Sequence, residues 1–93
     1  MRLMLKFTIP VAKGNAAAAD GSLGQAIAGL MQQVKPEAAY FLLNEGKRSG
    51  MVFFDAKDSS EMPKLCEPLF AKLDAAIEIQ PAMTADDLKR GLA

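Results

Sequence analysis

Two apolar segments separated by a short polar stretch constrain the fold of this chain more than any other feature. Residues 38–43 read Ala-Ala-Tyr-Phe-Leu-Leu, and residues 51–54 read Met-Val-Phe-Phe. The polar stretch contains Glu45-Gly46, and glycine supplies the positive φ that a tight hairpin turn needs. The pattern predicts a β-hairpin over residues 37–55 with its tip at Glu45-Gly46. Because neither arm alternates cleanly between apolar and polar residues, we expect both faces of the hairpin to be buried.

Two further segments have the period of two that marks a strand with one apolar face. The first lies near the start of the chain and ends at Pro10, because proline lacks the donor that a central strand needs. Its apolar positions are Leu3, Leu5, Phe7 and Ile9. The second, residues 76–80, reads Ala-Ile-Glu-Ile-Gln and ends at Pro81.

A helix is predicted between the first strand and the hairpin, after a loop at residues 13–15. Its apolar residues recur every three or four positions, which gives one stripe. Two glycines weaken its middle. The helix therefore either runs unbroken from about Asn15 or restarts with Asp20 or Ser22 as its cap. Pro36 ends it, since the residue before a proline is disfavoured in the α conformation. The stripe consists of Ala19, Leu23, Ala26, Ile27, Leu30, Met31 and Val34.

A second helix is predicted after the hairpin, where Asp58 can cap and Glu61 can reach back to the cap. Pro68 is incompatible with a helix interior, so a kink or break is expected near residues 66–67. The residues expected to face the core are Leu65, Leu69, Phe70 and Leu73.

A short terminal helix is predicted from residues 84–87, Thr-Ala-Asp-Asp, which form a capping box with Asp in place of Glu. Leu88 and Leu92 follow one turn apart.

The predicted order of elements is β-α-β-β-α-β-α. The first six elements form a split βαβ arrangement, a four-stranded antiparallel sheet with helices on one face. The expected strand order is 4-1-3-2, in a single α+β domain that spans residues 1–93.

This arrangement leaves one sheet face without helices. Met4, Lys6, Thr8, Glu78 and Gln80 are expected on that face. A tip at Glu45-Gly46 divides the hairpin into two sets, and the sequence does not decide which set joins them. One set is Tyr40, Leu42, Met51 and Phe53, and the other is Phe41, Leu43, Val52 and Phe54. Either set leaves large apolar side chains uncovered, which predicts a homodimer formed through the sheet faces.

Composition excludes several classes of function. Eleven basic and eleven acidic residues cancel, and the longest basic run is Lys47-Arg48, so no nucleic-acid footprint is present. The chain has no histidine and one cysteine, which argues against structural zinc; we expect no metal and no cofactor. No apolar run has the length of a membrane span, and the start of the chain is a poor match to a signal peptide. We therefore expect a cytoplasmic protein without a membrane partner.

Four residues on the uncovered face are candidate ligand-binding groups: Lys6, Thr8, Tyr40 and Glu78. Lys6 and Glu78 lie mid-strand on neighbouring strands. They either form a polar anchor for a small ligand or a cross-strand pair that helps to set the register. Tyr40 either donates a hydrogen bond to a ligand or serves as packing surface.

Cys66, in an apolar helical setting beside Glu67, has the pattern of a buried structural cysteine rather than a reactive one.

The chain resembles the dimeric α/β-barrel superfamily within the ferredoxin-like fold, in which two protomers pack their open sheet faces into a barrel. The resemblance rests on the order of elements, the doubly apolar hairpin and four segments. The segments are 7–11 (Phe-Thr-Ile-Pro-Val), 35–41 (Lys-Pro-Glu-Ala-Ala-Tyr-Phe), 67–70 (Glu-Pro-Leu-Phe) and 81–88 (Pro-Ala-Met-Thr-Ala-Asp-Asp-Leu). They are similar to segments of small bacterial members of unassigned function.

The resemblance implies a homodimer that encloses a pocket for a small molecule. The alternative is a cofactor-free monooxygenase- or isomerase-like enzyme that acts on a small organic molecule, as some members of the superfamily are. Catalytic members often use a histidine, and this chain has none. Whether the chain is an enzyme stays open at this stage, and no catalytic residue is assigned.

Overall fold

The computed structural model describes residues 1–93 and contains four strands and four helices. In chain order the elements are β1 (Arg2–Thr8), α1 (Val11–Asp20), α2 (Ser22–Val34), β2 (Ala38–Asn44), β3 (Lys47–Asp55), α3 (Glu61–Leu73), β4 (Ala76–Pro81) and α4 (Ala85–Leu92). The predicted βαββαβ topology and the short terminal helix are confirmed, with the first helical segment divided in two.

The four strands form one antiparallel sheet in the order β2-β3-β1-β4, as predicted. Leu5 lies between Val52 of β3 and Ile79 of β4. Since side chains alternate between the faces of a strand, this register fixes which residues share a face.

The core lies between the sheet and helices α1, α2 and α3. Its most buried side chains come from the sheet face predicted to meet the helices and from the inner sides of α2 and α3. Ile77 and Ile79 are only half-buried because β4 is an edge strand. The six largest fully buried side chains are Phe7, Leu5, Ile9, Leu69, Leu73 and Val52.

The hairpin turn is confirmed at Glu45-Gly46, where both residues have positive φ, 51° and 76°. Such a pair matches the right-handed twist of the two flanking strands. The turn is shorter than the polar stretch suggested, because β3 begins at Lys47 and includes residues 47–50.

Gly21 separates α1 from α2, so the helix restarts as in the second alternative, but the N-cap is Gly21 rather than Asp20 or Ser22. Gly21 has φ 85°, a left-handed conformation that ends a helix and suits glycine. The Asp20 carboxylate accepts the first free amide of α2, from Ser22, at 2.8 Å. Hydrogen bonding by the Ser22 side chain, together with that of its backbone amide, holds the pKa of Asp20 below its usual value.

The loop predicted at residues 13–15 is wrong, because these residues lie inside α1. The helix begins directly after Pro10, whose carbonyl accepts the amide of Gly14 at 2.8 Å. Gly14 is buried, and a Cβ there would lie 2.8 Å from the Arg48 guanidinium and 3.4 Å from Ile9. The glycine therefore marks a close approach of the helix to the sheet rather than a loop.

A kink or a break was expected near residues 66–67; the break is wrong, because helix α3 continues through Pro68. Pro68 and Lys64 are both exposed, and water can therefore satisfy the Lys64 carbonyl that loses its helical partner. At the start of the helix, Glu61 reaches back to the amides of Lys57 and Asp58, as predicted. Phe70 was expected in the core but is exposed, while Leu65, Leu69 and Leu73 are buried.

Helix α4 has the predicted capping box. Thr84 Oγ1 accepts the amide of Asp87 at 3.1 Å, and the Asp87 carboxylate accepts the amide of Thr84 at 3.0 Å. None of the residues of α4 is buried. None of the helices combines the length and the apolar character that crossing a membrane would require.

Candidate ligand-binding and interaction surface

The sheet face opposite the helices, here the open face, carries all four candidate ligand-binding residues. The register places Tyr40 opposite Met51, Met51 opposite Lys6, and Lys6 opposite Glu78. These four residues therefore form one row across all four strands, here the Lys6 row. Thr8 lies in the next row, two residues further along β1. The hairpin set on the open face is Tyr40, Leu42, Met51 and Phe53, which answers the question that the sequence left open.

The apolar cover of the open face is uneven. Tyr40 and Leu42 on the edge strand β2 are exposed, Met51 and Phe53 are half-buried, and Met4 is buried among its neighbours. The Tyr40 ring is 63% exposed. The most exposed apolar side chains of the open face thus lie along β2 rather than at the centre of the sheet.

Lys6 and Glu78 are direct cross-strand neighbours, but they make no ion pair. Their Cα positions are paired in the β1–β4 register, and yet all five ion pairs of the chain lie elsewhere. Lys6 is half-buried and Glu78 is exposed. Within one protomer, the Lys6 ammonium therefore has no carboxylate within 4 Å.

Thr8 belongs to a chain of hydrogen bonds at the end of the open face. Asn44 donates to Thr8 Oγ1 at 3.3 Å, and the buried Ser49 hydroxyl donates to the carbonyl of Phe7 at 2.7 Å. Thr8 Oγ1 and Ser49 Oγ lie 3.3 Å apart. Because the Ser49 hydrogen is committed to Phe7, Thr8 is the donor to Ser49. The Thr8 hydroxyl therefore has no free hydrogen for a ligand, although it retains a lone pair.

Residues 40–43 of strand β2 are uncovered on both faces, which differs from the expectation that the hairpin is buried on both. On the helix side, Phe41 is 57% and Leu43 is 74% exposed. Helices α1 to α3 cover Val52 and Phe54 of β3 but do not extend over the edge strand. The strand contains no charged residue and no proline, the usual devices that protect an edge.

A groove of about 370 Å³ lies between α2 and the exposed side of β2, here the edge groove. Sequence reasoning missed it, because the apolar pattern predicted contact between these elements and did not reveal that the helix stops short of the edge. Its lining is Phe7, Ile9, Leu23, Ile27, Phe41, Leu42, Leu43, Arg48 and Ser49.

Arg2 lies at the end of the sheet away from the hairpin turn, where it connects β1 to the residue before β2 and to α4. Its guanidinium donates to Glu37, before β2, and to Asp87 in α4, the latter at 2.9 Å. The hydrogen bond to Glu37, with the nearby charges of Glu37 and Asp87, raises the pKa of Arg2. Hydrogen bonds from Thr84, with the charges of Arg90 and Arg2, lower the pKa of Asp87. This cluster fixes where α4 leaves the sheet.

A polar hollow of about 510 Å³ borders this cluster. Its charged groups are already paired: Arg2 with Glu37 and Asp87, and the N-terminal ammonium with Asp55 at 2.9 Å. The hollow therefore offers no unpaired charge to a ligand.

Neither a metal cluster nor a reactive thiol is evident. No group of three or more histidine, cysteine, aspartate or glutamate side chains is placed to hold a metal ion. Cys66 is buried in α3, as favoured from the sequence, and burial raises the pKa of its thiol.

Comparison with known proteins gives a fold and no family. No protein-family model matches the chain, and no curated protein matches it in sequence. Among solved structures, it is similar to a formyltetrahydrofolate deformylase from Pseudomonas putida KT2440, with a TM-score of 0.56 and 13% identity. That match covers 88% of this chain but only 29% of the deformylase.

The chain is also similar to the de novo designed protein Ferredog-Diesel, with a TM-score of 0.51 and 8% identity. That match covers 87% of this chain and 85% of the design. Together with the strand order, the two likenesses support a ferredoxin-like fold. At such identities they carry no information about activity.

Proposed function

We propose that the chain is a homodimeric binding protein whose two open faces pack together and enclose a small organic molecule. The observation that carries the proposal is the Lys6 row, in which an unpaired, half-buried cation lies among Tyr40 and Met51 on a face without helices. The proposal includes membership of the dimeric α/β-barrel superfamily, and it places the chain in the cytoplasm.

The apolar side chains of the open face favour a second copy as the cover. Tyr40, Leu42, Met51 and Phe53 share this face, and a contiguous apolar patch of this kind usually marks an interface. Two identical faces related by a twofold axis meet patch to patch, which makes the contact self-complementary. A second copy of the chain can therefore cover the open face without a different partner protein.

Lys6 sets the chemistry of the ligand. Covering the open face removes water from the ammonium group, and a buried charge is costly unless it is paired. Since no carboxylate of the same protomer lies within 4 Å of Lys6, the charge needs an external partner. We therefore propose a ligand with an apolar body and an anionic group.

Sedimentation velocity tests the dimer. We expect a species of about 20 kDa, twice the chain mass, at low micromolar concentration. Leu42→Asp should shift it towards the monomer, because a carboxylate would be buried in the interface. Val11→Asp is the matched control: Val11 is exposed on the helix layer, and an acidic residue suits the first turn of a helix. A well-folded monomer at all concentrations would refute the dimer.

A thermal-shift screen tests the ligand. Aromatic and aliphatic carboxylic acids should raise the melting temperature of the wild type but not that of Lys6→Met. Lys72→Met, on the exposed side of α3, is the control that should keep the response. An equal response in all three proteins would show that Lys6 does not hold the anion. If no acid acts and the dimer persists, Glu78 of the partner subunit becomes the expected counter-charge.

The enzymatic alternative stays a prediction. A monooxygenase- or isomerase-like reaction needs a group that moves a proton beside the bound substrate. Thr8 has no free donor, and no observation on the open face favours a particular reaction over binding.

A further inference from the structure

Helix α4 presents an apolar surface that nothing in its own protomer covers. At 100° per residue, Ala85, Leu88, Gly91 and Leu92 occupy an arc of about 120°, the width of a buried helix face. Leu88 is 48% and Leu92 is 79% exposed. The sequence therefore encodes a packing face for α4, and the protomer leaves this face unpacked.

The edge groove is the counterpart to this helix in the same molecule. Phe41 and Leu43 form its outer wall and are among the most exposed large apolar residues of the chain. Leu42, whose side chain starts from the open face, also lines the groove. The groove therefore reaches the rim of the sheet, where a helix from the other side of a dimer can enter it.

Helix α4 cannot reach the edge groove of its own protomer. It starts at the end of the sheet where Arg2 pairs with Asp55, and the Arg2–Asp87 ion pair holds it there. The groove lies at the other end, beside Arg48, and the seven residues of β1 place the two ends about 20 Å apart. Leu88 is only about 6 Å along the helix axis from Thr84.

We infer that α4 of each protomer packs its Leu88–Leu92 face into the edge groove of a second copy. The inference rests on the proposed homodimer and selects one form of it. If the twofold axis runs across the strands, the Arg2 end of one sheet faces the hairpin end of the other. If the axis runs along the strands, like ends meet and α4 stays uncovered. Docking of α4 into the edge groove therefore requires the twofold axis that runs across the strands.

Interface size supports a contribution from α4. Four strands about 4.8 Å apart and about seven residues long give the open face a projected area of roughly 400 Å²; its accessible surface is larger, because side chains stand out from the sheet. A stable interface buries about 800 Å² of accessible surface on each partner. Two copies of the α4–groove contact add apolar area on both sides of the dimer.

Disulfide trapping between two different variants tests the inference, with Cys66→Ala in both chains. A Leu88→Cys chain is mixed with a Leu43→Cys chain and oxidised at low micromolar concentration. The expected product is a disulfide-linked heterodimer that forms at least tenfold faster than in a control mixture of Leu88→Cys with Ala71→Cys. Ala71 is exposed on α3, away from the groove. Equal rates in the two mixtures overturn the inference.

Dimer affinity provides the second measurement. Leu88→Ser should weaken the dimer at least tenfold, whereas Asp86→Ser, on the opposite side of the same helix, should leave the dissociation constant unchanged. Both residues are exposed in the protomer, so neither change threatens its fold. A wild-type dimer with neither trapping nor an effect of Leu88→Ser overturns the docking of α4 and leaves the proposed function in place. A wild-type monomer overturns both.

Discussion

The ring of Phe7 lies directly against the backbone of Gly50, its cross-strand neighbour. A Cβ at Gly50 would lie 2.6 Å from two carbons of that ring and 3.1 Å from Phe41. Phe7 is almost fully buried, so its ring can yield only towards the edge groove that it lines. Glycine is therefore required here by side-chain packing rather than by backbone conformation.

Gly50→Ala should destabilise the protein by about 1–3 kcal/mol, the usual cost of forcing an extra carbon into a packed core. Urea unfolding at fixed protein concentration measures the change. Gly29→Ala is the matched control, because a Cβ at Gly29 in α2 would meet no atom within 4 Å. Removing a glycine from a helix interior should stabilise by about 0.5–1 kcal/mol. A loss of stability in both variants would contradict the packing argument.

The hairpin turn gives the second prediction. Glu45 has φ 51°, a left-handed conformation that costs about 1 kcal/mol for most residues and less for asparagine. Glu45→Asn should therefore raise the melting temperature by a few degrees, since Asn-Gly is the preferred pair for this turn. Gly46→Ala should lower it, because φ at Gly46 is 76°. Shifts of the same sign in the two variants would show that the turn conformation does not limit stability.

Alternation and turn chemistry were sufficient to predict the sheet. The order of the strands followed from the βαββαβ succession of elements. The strands themselves were indicated by the period of two in Leu3, Leu5 and Phe7, by the Glu45-Gly46 tip and by the flanking prolines. These signals are local, and each depends on backbone rules that tertiary contacts rarely override. The capping box at Thr84 is local in the same sense and was predicted with its partner Asp87.

The errors arose where a residue owes its role to distant contacts. Gly14 was read as a loop residue, but it lets α1 approach Arg48 of β3. Pro68 was expected to kink or break its helix; the helix is not broken, because exposure of this turn makes the lost hydrogen bond tolerable. The candidate site shows the same limit. The sequence placed Lys6, Thr8 and Glu78 on one face, but it did not reveal that the Thr8 hydroxyl donates its hydrogen to Ser49, which is 41 residues away.

The buried Ser49 hydroxyl gives the third prediction. Ser49→Ala removes the hydrogen bond to the carbonyl of Phe7 and leaves Thr8 without its acceptor. The expected loss is about 1–2 kcal/mol in the free energy of unfolding. Thr8→Val should cost less, because the bond from Ser49 to Phe7 survives. Ser59→Ala, at an exposed position, is the control and should change stability little. An effect of Thr8→Val larger than that of Ser49→Ala would contradict the claim that the Ser49–Phe7 hydrogen bond is the main contribution.

The cap of α4 gives the fourth prediction, a pH dependence. Hydrogen bonds from Thr84 lower the pKa of Asp87 in the folded chain, so the charged carboxylate stabilises the start of the helix. An unperturbed aspartate has a pKa of about 3.9. The stabilisation is therefore complete above that value and is lost as the pH falls through the lower pKa of the folded state.

The amide resonance of Thr84, followed by NMR from pH 6 to pH 2, measures this loss at the residue itself. We expect a shift towards the unfolded position at the acid end, together with release of Arg2 from Asp87. Asp87→Asn should abolish the titration of this amide. Asp86→Asn is the control and should preserve it, because Asp86 accepts no bond from the cap. A Thr84 amide that titrates identically in wild type and Asp87→Asn would assign the acid sensitivity of α4 to another carboxylate.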